Sequence, residues 1–228
     1  MLHYYGETMK RKSRKLFDLK RREPSREEYP SILIVSEGEN TEPSYFRQFR
    51  LTTAEVIPLG IGYNTMSLVN KAIELRDKKV GTSHEYNQVW CVFDKDDYSD
   101  DQYNSAIFKA KQNDVKVAYS NQSFEYWLLL HLKDHQGGAL HRDNYNKEIN
   151  NLLPQNVKYD GKGSKLVSAD LFKHLLSKDL KTGKTLQELA IRRAKKLHQL
   201  KDSYYDSFAK QESMTTVYKL VEELLKFC

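Results

Sequence analysis

Four short apolar runs alternate with segments of helical periodicity between residues 31 and 133, and this alternation constrains the fold more than any other feature of the chain. We predict strands at the four runs, which cover residues 31–35, 55–59, 88–93 and 115–119. Strands that are joined by helices run parallel and need helical cover on both faces of their sheet. The pattern therefore predicts an α/β fold with a mostly parallel four-stranded sheet flanked by helices.

The last third of the chain shows a different pattern, in which glycine-containing loops separate segments of helical periodicity. We predict helices near residues 143–153, 164–178, 186–200 and 215–227. These helices are expected to pack on the sheet as a further layer. The sequence thus predicts a single α/β domain over residues 31–228, of which residues 134–228 are a mainly helical extension, and an N-terminal arm over residues 1–30.

Residues that can cap a helix stand at the start of three predicted helices. Thr41 is expected to cap the helix after the first strand, Asn64 or Thr65 the next helix, and Ser123 the apolar helix after the fourth strand. Glu42 follows Thr41 directly, and a capping-box acid is its simpler interpretation, with a role in a site as the alternative.

Positive charge is concentrated in the arm. The chain carries a net charge of +6, and residues 1–30 hold nine basic against five acidic side chains. A basic segment beside a nearly neutral body favours a polyanionic partner, although a solvated tail that aids solubility is an equally simple interpretation. We predict that eight arm residues bind nucleic acid: Lys10, Arg11, Lys12, Arg14, Lys15, Lys20, Arg21 and Arg22.

Several classes of protein are disfavoured by composition. The longest apolar candidate, residues 124–132, is too short and too interrupted to cross a bilayer, and the N-terminal residues lack the apolar stretch of a signal peptide. We therefore expect a cytoplasmic protein with no membrane partner. The two cysteines, Cys91 and Cys228, can form neither a disulfide framework nor a cysteine-based zinc site.

Acidic residues directly follow two of the predicted strands. Glu37 comes after the first strand, and Asp94, Asp96 and Asp97 come after the third. Ligands of open α/β sheets bind beyond the carboxyl ends of the strands, so the two acidic loops converge if these strands are neighbours. In extended backbone Asp94 and Asp96 would point the same way, and clustered carboxylates must bind protons or a cation. Oxygen ligands favour Mg²⁺ or Mn²⁺, whereas a simple polar turn is the alternative.

Three ordered motifs resemble the RloB-like proteins, a family associated with bacterial restriction and abortive-infection loci. The resemblance is close over residues 31–133 and looser beyond them. The motifs are the strand at residues 32–35 with Glu37-Gly38-x-x-Thr41-Glu42-x-x-Tyr45-Phe46, the apolar strand into Asp94-x-Asp96-Asp97, and Ser120-Asn121-x-x-Phe124-Glu125-x-Trp127-Leu128-Leu129-x-His131.

RloB-like proteins are in turn similar to the Toprim fold of topoisomerases, primases and OLD-type nucleases. In that fold a Glu after the first strand and an Asp-x-Asp after the third bind the metal that serves phosphodiester chemistry. The resemblance assigns these catalytic roles to Glu37, Asp94 and Asp96, and it implies a Toprim-like fold. We predict that Asp97 and Glu125 join the same three residues as metal ligands, although Glu125 also fits a helix-dipole role.

The sequence thus predicts an Mg²⁺- or Mn²⁺-dependent nuclease that acts on DNA or RNA in bacterial antiphage defence. No Tyr or Ser nucleophile can be placed, so hydrolysis by water is favoured over strand passage. No linked ATPase is recognised, which leaves an ATPase partner from the same defence locus as an expectation. The choice between DNA and RNA and the oligomeric state stay open.

Two other functions remain as alternatives. One is a non-catalytic module that binds nucleic acid or a protein partner. The other is a phosphatase of the haloacid-dehalogenase type, in which Asp94 would attack phosphorus and Asp96 would act as the acid. That motif normally continues with Thr or Val where this chain has Tyr98, and it gives Glu37 no role.

Other polar residues carry weaker predictions. His131 is expected to be a packing histidine, and Asn121 either lies at the edge of the site or makes a turn. Lys162 and Lys165 stand in a glycine-flanked loop, where they could stabilise charge on a phosphorane, although solvated lysines are the simpler interpretation.

Overall fold

The computed structural model describes residues 30–60, 64–96, 98–138, 140–202 and 207–228. The basic arm residues from Lys10 to Arg22 lie outside these ranges, as does Asp97. The described residues form a parallel four-stranded sheet in the order β2-β1-β3-β4. Its strands are β1 Ile32–Ser36, β2 Ala54–Pro58, β3 Gln88–Asp94 and β4 Lys116–Ser120. The predicted α/β fold with a parallel sheet is confirmed, and β1 and β3 are neighbours.

Helices cover both faces of the sheet. The first four are α1 Thr41–Arg47, α2 Thr65–Asp77, α3 Asp100–Gln112 and α4 Glu125–Leu132. The second four are α5 Tyr145–Leu152, α6 Ala169–Leu175, α7 Leu186–Asp202 and α8 Val217–Leu224. Among the described helices, none is long and apolar enough to cross a bilayer.

The apolar core has two halves, one on each face of the sheet, because successive side chains of a strand point to opposite faces. Ile32 and Ile34 face one half, which includes Tyr45 of α1, Trp127 of α4 and side chains of α5 to α8. Leu33 and Val35 face the other half, which includes side chains of α2 and α3. Because successive side chains of a strand point to opposite faces, a parallel strand buried on both sides reads as a continuous apolar run.

Some local predictions are wrong, and each has a physical reason. The helix predicted from residue 164 begins only at Ala169, since Asp160 accepts hydrogen bonds from the backbone of Gly163 and Ser164 and holds these residues in a loop. Asn64 does cap α2.

The expected Thr41 and Ser123 caps do not form. Asn40 and Phe124 occupy the cap positions of α1 and α4, and neither makes a side-chain cap hydrogen bond. The Thr41 hydroxyl instead lies 3.1 Å from the Tyr159 hydroxyl.

The C-terminal residues secure the carboxyl end of β4. The Thr216 amide donates to the Tyr119 carbonyl at 2.8 Å, and the Tyr119 amide donates to the Thr216 hydroxyl at 2.9 Å. The Asn121 amide nitrogen donates to the carbonyls of Phe208 and Gln211. Asn121 therefore holds the loop after β4 in place.

Candidate functional site

A cleft of about 400 Å³ lies beyond the carboxyl ends of β1 and β3. The Glu37 amide donates to the Val92 carbonyl at 3.0 Å, so the loop after β1 leaves the sheet beside the end of β3. The described lining residues include six carboxylates and two cationic side chains, Arg142 and Lys165. The carboxylates are Glu37, Glu39, Glu42, Asp94, Asp96 and Glu125. The structure thus gathers Glu37, Asp94, Asp96 and Glu125 in one cleft, and whether they bind a metal stays a prediction.

Asp94 is partly buried at the floor of the sheet edge, with one carboxylate oxygen enclosed. It is the last residue of β3, and its Oδ2 accepts a 3.0 Å hydrogen bond from the Phe124 amide. Its Oδ1 is buried and has no hydrogen-bond partner among the described residues. Burial and the nearby charges of Glu42, Glu125 and Glu37 raise the pKa of Asp94 well above its ordinary value. A buried carboxylate oxygen without a partner is costly, and a cation would offset that cost.

Glu37 has a similar arrangement of one engaged and one unpartnered oxygen. Its Oε1 accepts a 2.7 Å hydrogen bond from the Tyr98 hydroxyl, whereas its buried Oε2 has no described partner. Burial raises the pKa of Glu37, although the Tyr98 hydrogen bond opposes the shift. Tyr98 therefore fixes the orientation of Glu37 and leaves the other oxygen unengaged.

Glu42 also lies in the cleft, where sequence reasoning favoured a capping role. Its residue is only 6% exposed. A Cβ atom at position 38 would collide with the Glu42 carboxylate, so Gly38 is what allows the loop to fold against this side chain. Burial, together with the charges of Glu125 and Glu37, raises the pKa of Glu42 to about 7. From the sequence, a site role for Glu42 was only the alternative interpretation, because an acid in the first turn of a helix fits a capping role equally well.

Glu125 is held by a residue that the sequence analysis did not identify. The Tyr159 hydroxyl donates to Glu125 Oε1 at 2.6 Å and lies 3.1 Å from the Thr41 hydroxyl. Tyr159 belongs to the segment between α5 and α6, and it is only 2% exposed. The helical extension therefore contributes a buried side chain that positions Glu125 at the start of α4.

Asp96 lies at the mouth of the cleft and pairs with Arg142. The expectation that Asp94 and Asp96 share one extended backbone is wrong, because Asp96 has a φ of 42° and the chain turns sharply after β3. Asp96 is half-exposed, whereas Asp94 is less exposed and its Oδ1 is buried. Burial acts against the charge of Arg142, but the hydrogen bond and charge of Asp96 raise the pKa of this guanidinium.

Comparison with known proteins identifies the family. The family model described as RloB-like protein matches residues 32–224, a range that includes every residue of the cleft. The chain belongs to the RloB-like family. No curated protein and no solved structure shows a significant match to it.

Three further residues considered for this RloB-like chain differ in whether they reach the cleft. His131 is fully buried, its Nδ1 lies 2.9 Å from the Trp127 carbonyl, and burial lowers its pKa to about 3, so it is a packing histidine. Of the two lysines in the glycine-flanked loop, Lys165 lines the cleft and Lys162 does not.

The described carboxylates lie in one cleft but are not arranged as the ligands of a bound metal ion. Within the described ranges, no three His, Cys, Asp or Glu side chains converge in the geometry of a bound ion. The pairing of Asp96 with Arg142 accounts for part of this, since it directs one predicted ligand toward the guanidinium. An ion bound at Asp96 Oδ1 would take the place of Arg142 there.

Proposed function

We propose that this RloB-like chain is a nuclease that uses Mg²⁺ or Mn²⁺ to hydrolyse phosphodiester bonds of DNA or RNA in bacterial antiphage defence. The observation that carries the proposal is the pair of buried, unpartnered carboxylate oxygens, Asp94 Oδ1 and Glu37 Oε2, in one cleft. Their positions after neighbouring strands agree with the roles that the Toprim resemblance assigns to a Glu and an Asp-x-Asp pair.

The donor set of the cleft fits a hard divalent cation. All six acidic groups offer oxygen, which Mg²⁺ and Mn²⁺ prefer, and only two cationic side chains oppose them among the described lining residues. Glu37, Asp94 and Asp96 would hold the ion, with Glu125 beside them. Such an ion would supply Lewis acidity toward water and toward a phosphoryl oxygen.

The protein's own groups are arranged for water-mediated hydrolysis. Tyr98 holds Glu37 through Oε1, so Glu37 Oε2 is the oxygen left to ligate the ion or, where Asp94 and Asp96 hold it, to accept a proton from the attacking water. The Phe124 amide holds Asp94, and Tyr159 holds Glu125, which limits the reorganisation that ligation of an ion requires. The basic arm favours a long polyanion as the substrate.

A cleavage assay tests the proposal. The chain would be incubated with plasmid DNA, linear DNA and total tRNA, each in Mg²⁺, Mn²⁺ or EDTA. We expect cleavage in one of the metals and none in EDTA. Asp94→Asn should abolish it, because the Asn oxygen can keep the Phe124 hydrogen bond while its amide group replaces the unpartnered oxygen.

Asp114→Asn is the matched control, since Asp114 is exposed and precedes β4 at the opposite end of the sheet. Cleavage that survives Asp94→Asn, or that is lost equally in Asp114→Asn, would contradict the proposed site. Turnover of p-nitrophenyl phosphate that depends on Asp94 but not Glu37, without cutting of nucleic acid, would indicate the phosphatase alternative.

A non-catalytic nucleic-acid-binding module is the second candidate, and one observation favours it. The Arg142 guanidinium pairs with Asp96, and the described carboxylates do not converge as a ligand set. This candidate predicts that the chain binds nucleic acid equally well in metal and in EDTA and never cleaves it.

A further inference from the structure

Two cationic side chains, Arg142 and Lys165, face a cleft whose other described charged groups are carboxylates. Both belong to the helical extension, and neither is part of the strand-and-helix unit that supplies the acids. Arg142 begins a short 3-10 turn just before α5. The extension therefore places positive charge at the mouth of an acidic cleft.

The loop that carries Lys165 is held in a defined conformation. The Asp160 carboxylate accepts 2.8 Å hydrogen bonds from the amides of Gly163 and Ser164, and the Lys165 amide donates to the Asp160 carbonyl at 2.9 Å. Lys165 itself has a φ of 53°, in the left-handed region that few residues adopt. A surface loop with this many internal hydrogen bonds fixes where its lysine leaves the backbone.

The two cations do not serve simply as counter-ions for the buried acids. Asp94 Oδ1 and Glu37 Oε2 lack partners among the described residues, although two cations line the same cleft. Arg142 pairs instead with the half-exposed Asp96, and Lys165 forms no ion pair within the described part of the chain. A cation whose purpose was to neutralise the buried acids would be expected to reach them, because an unpaired buried charge is costly.

We propose that Arg142 and Lys165 bind the phosphate group of the nucleic acid whose bond lies in the cleft. The inference rests on the proposed function and names the residues that contact its substrate. An arginine fork can hold two phosphate oxygens, and a lysine adds a compact charge beside it. Arg142 becomes free for this role when an ion replaces it at Asp96, so occupation of the acidic site and binding of the phosphate are linked.

Calorimetry with a single nucleotide tests this role without contributions from the rest of a long substrate. Thymidine 3′,5′-bisphosphate and its uridine counterpart would be titrated into the full chain in saturating Ca²⁺, which offers similar oxygen coordination. Arg142→Gln and Lys165→Gln should each weaken nucleotide binding by at least about tenfold, which is the effect of removing one hydrogen bond to a charged group. Arg142→Lys should weaken binding less, because it keeps the charge but not the fork.

Lys162→Gln is the matched control, because Lys162 is exposed in the same loop and does not line the cleft. Weaker nucleotide binding in Arg142→Gln and Lys165→Gln, with parent-like binding in Lys162→Gln, supports the proposal. Parent-like nucleotide binding in both cleft variants would overturn it and leave these cations as counter-ions of the carboxylates.

A separate titration of Ca²⁺ and Mg²⁺ without nucleotide distinguishes this failure from failure of the proposed function. If the parent binds metal through Asp94 while the cleft variants bind nucleotide normally, only the phosphate role is wrong. If the parent binds no metal, the proposed function is wrong, and the comparison of Lys165→Gln with the parent in EDTA still decides whether Lys165 holds a phosphate, whereas Arg142 stays paired with Asp96 when no ion is bound.

Discussion

Replacing the buried Glu42 by Gln should stabilise the metal-free protein at neutral and alkaline pH. Gln has nearly the shape of Glu but carries no charge, so it keeps the packing against Gly38 and removes the cost of ionising a carboxyl among Glu125 and Glu37. The perturbation therefore isolates electrostatic energy from packing.

The expected size follows from the pKa of Glu42, which rises from 4.5 to about 7 on folding. At roughly 1.36 kcal/mol per pH unit, this difference costs on the order of 3 kcal/mol once the group is ionised. Because the folded protein holds the Glu42 proton more tightly than the unfolded chain, the parent loses stability as the pH rises from 4.5 to about 7. The difference between the variant and the parent should therefore be near zero at the acidic end and full above pH 7.

Urea unfolding in EDTA, followed at about pH 5 and about pH 8, measures this difference. At the higher pH, the variant should also melt roughly 6 to 12 °C above the parent. Glu39→Gln is the control, because Glu39 lines the same cleft but is exposed, so it should change little at either pH. A Glu42→Gln protein that is no more stable than the parent at about pH 8 would refute the reasoning, as would an equal gain at both pH values.

Three further predictions concern the metal site, its support and the arm. In calorimetry Asp94→Asn should abolish Mg²⁺ and Mn²⁺ binding, and unchanged metal affinity would contradict the site. The metal-free variant should be at least as stable as the metal-free parent, because a buried charge is gone. Tyr159→Phe should lower the free energy of unfolding by about 1–3 kcal/mol, since it removes the hydrogen bond to Glu125, and an unchanged urea midpoint would contradict this role. Deleting residues 1–30 should flatten the plot of log binding constant against log salt concentration by about 0.7–0.9 for each phosphate that the arm neutralises, while metal binding survives. An unchanged slope would assign the arm another role.

The sheet and the position of the acidic loops could be predicted because both depend on short-range pattern. The two central strands, β1 and β3, are apolar enough to be buried on both faces, and the helical periodicity between strands requires parallel connections. Parallel strands end at the same edge, so Glu37 and Asp94 had to lie near each other once β1 and β3 were neighbours. That adjacency was a condition of the prediction, and the structure confirms it.

The remaining site residues could not be predicted, because interactions between residues distant in sequence decide them. Glu42 reads as a helix-capping acid from its neighbours, and only the close approach of Gly38 shows that it belongs to the cleft. Tyr159 reaches Glu125 across 34 positions, and Arg142 reaches Asp96 across 46. The extended backbone assumed for the Asp-x-Asp pair failed because Asp96 turns into the left-handed region.

The helical extension is thus part of the site as well as cover for the sheet. The described side-chain partners of Glu125 are Thr41 and Tyr159, and the described ion-pair partner of Asp96 is Arg142. Through Tyr159 and Arg142, two of the predicted ligands depend on residues beyond position 133. Strand ends supply acids wherever a parallel sheet has acidic loops, but burying several carboxylates together requires donors and cations nearby. In this chain the extension provides both: Tyr159 orients a buried acid, while Arg142 and Lys165 add positive charge where a phosphate would enter. The chemistry of the cleft is therefore a joint property of the sheet and the extension, and substitutions in either part should alter it.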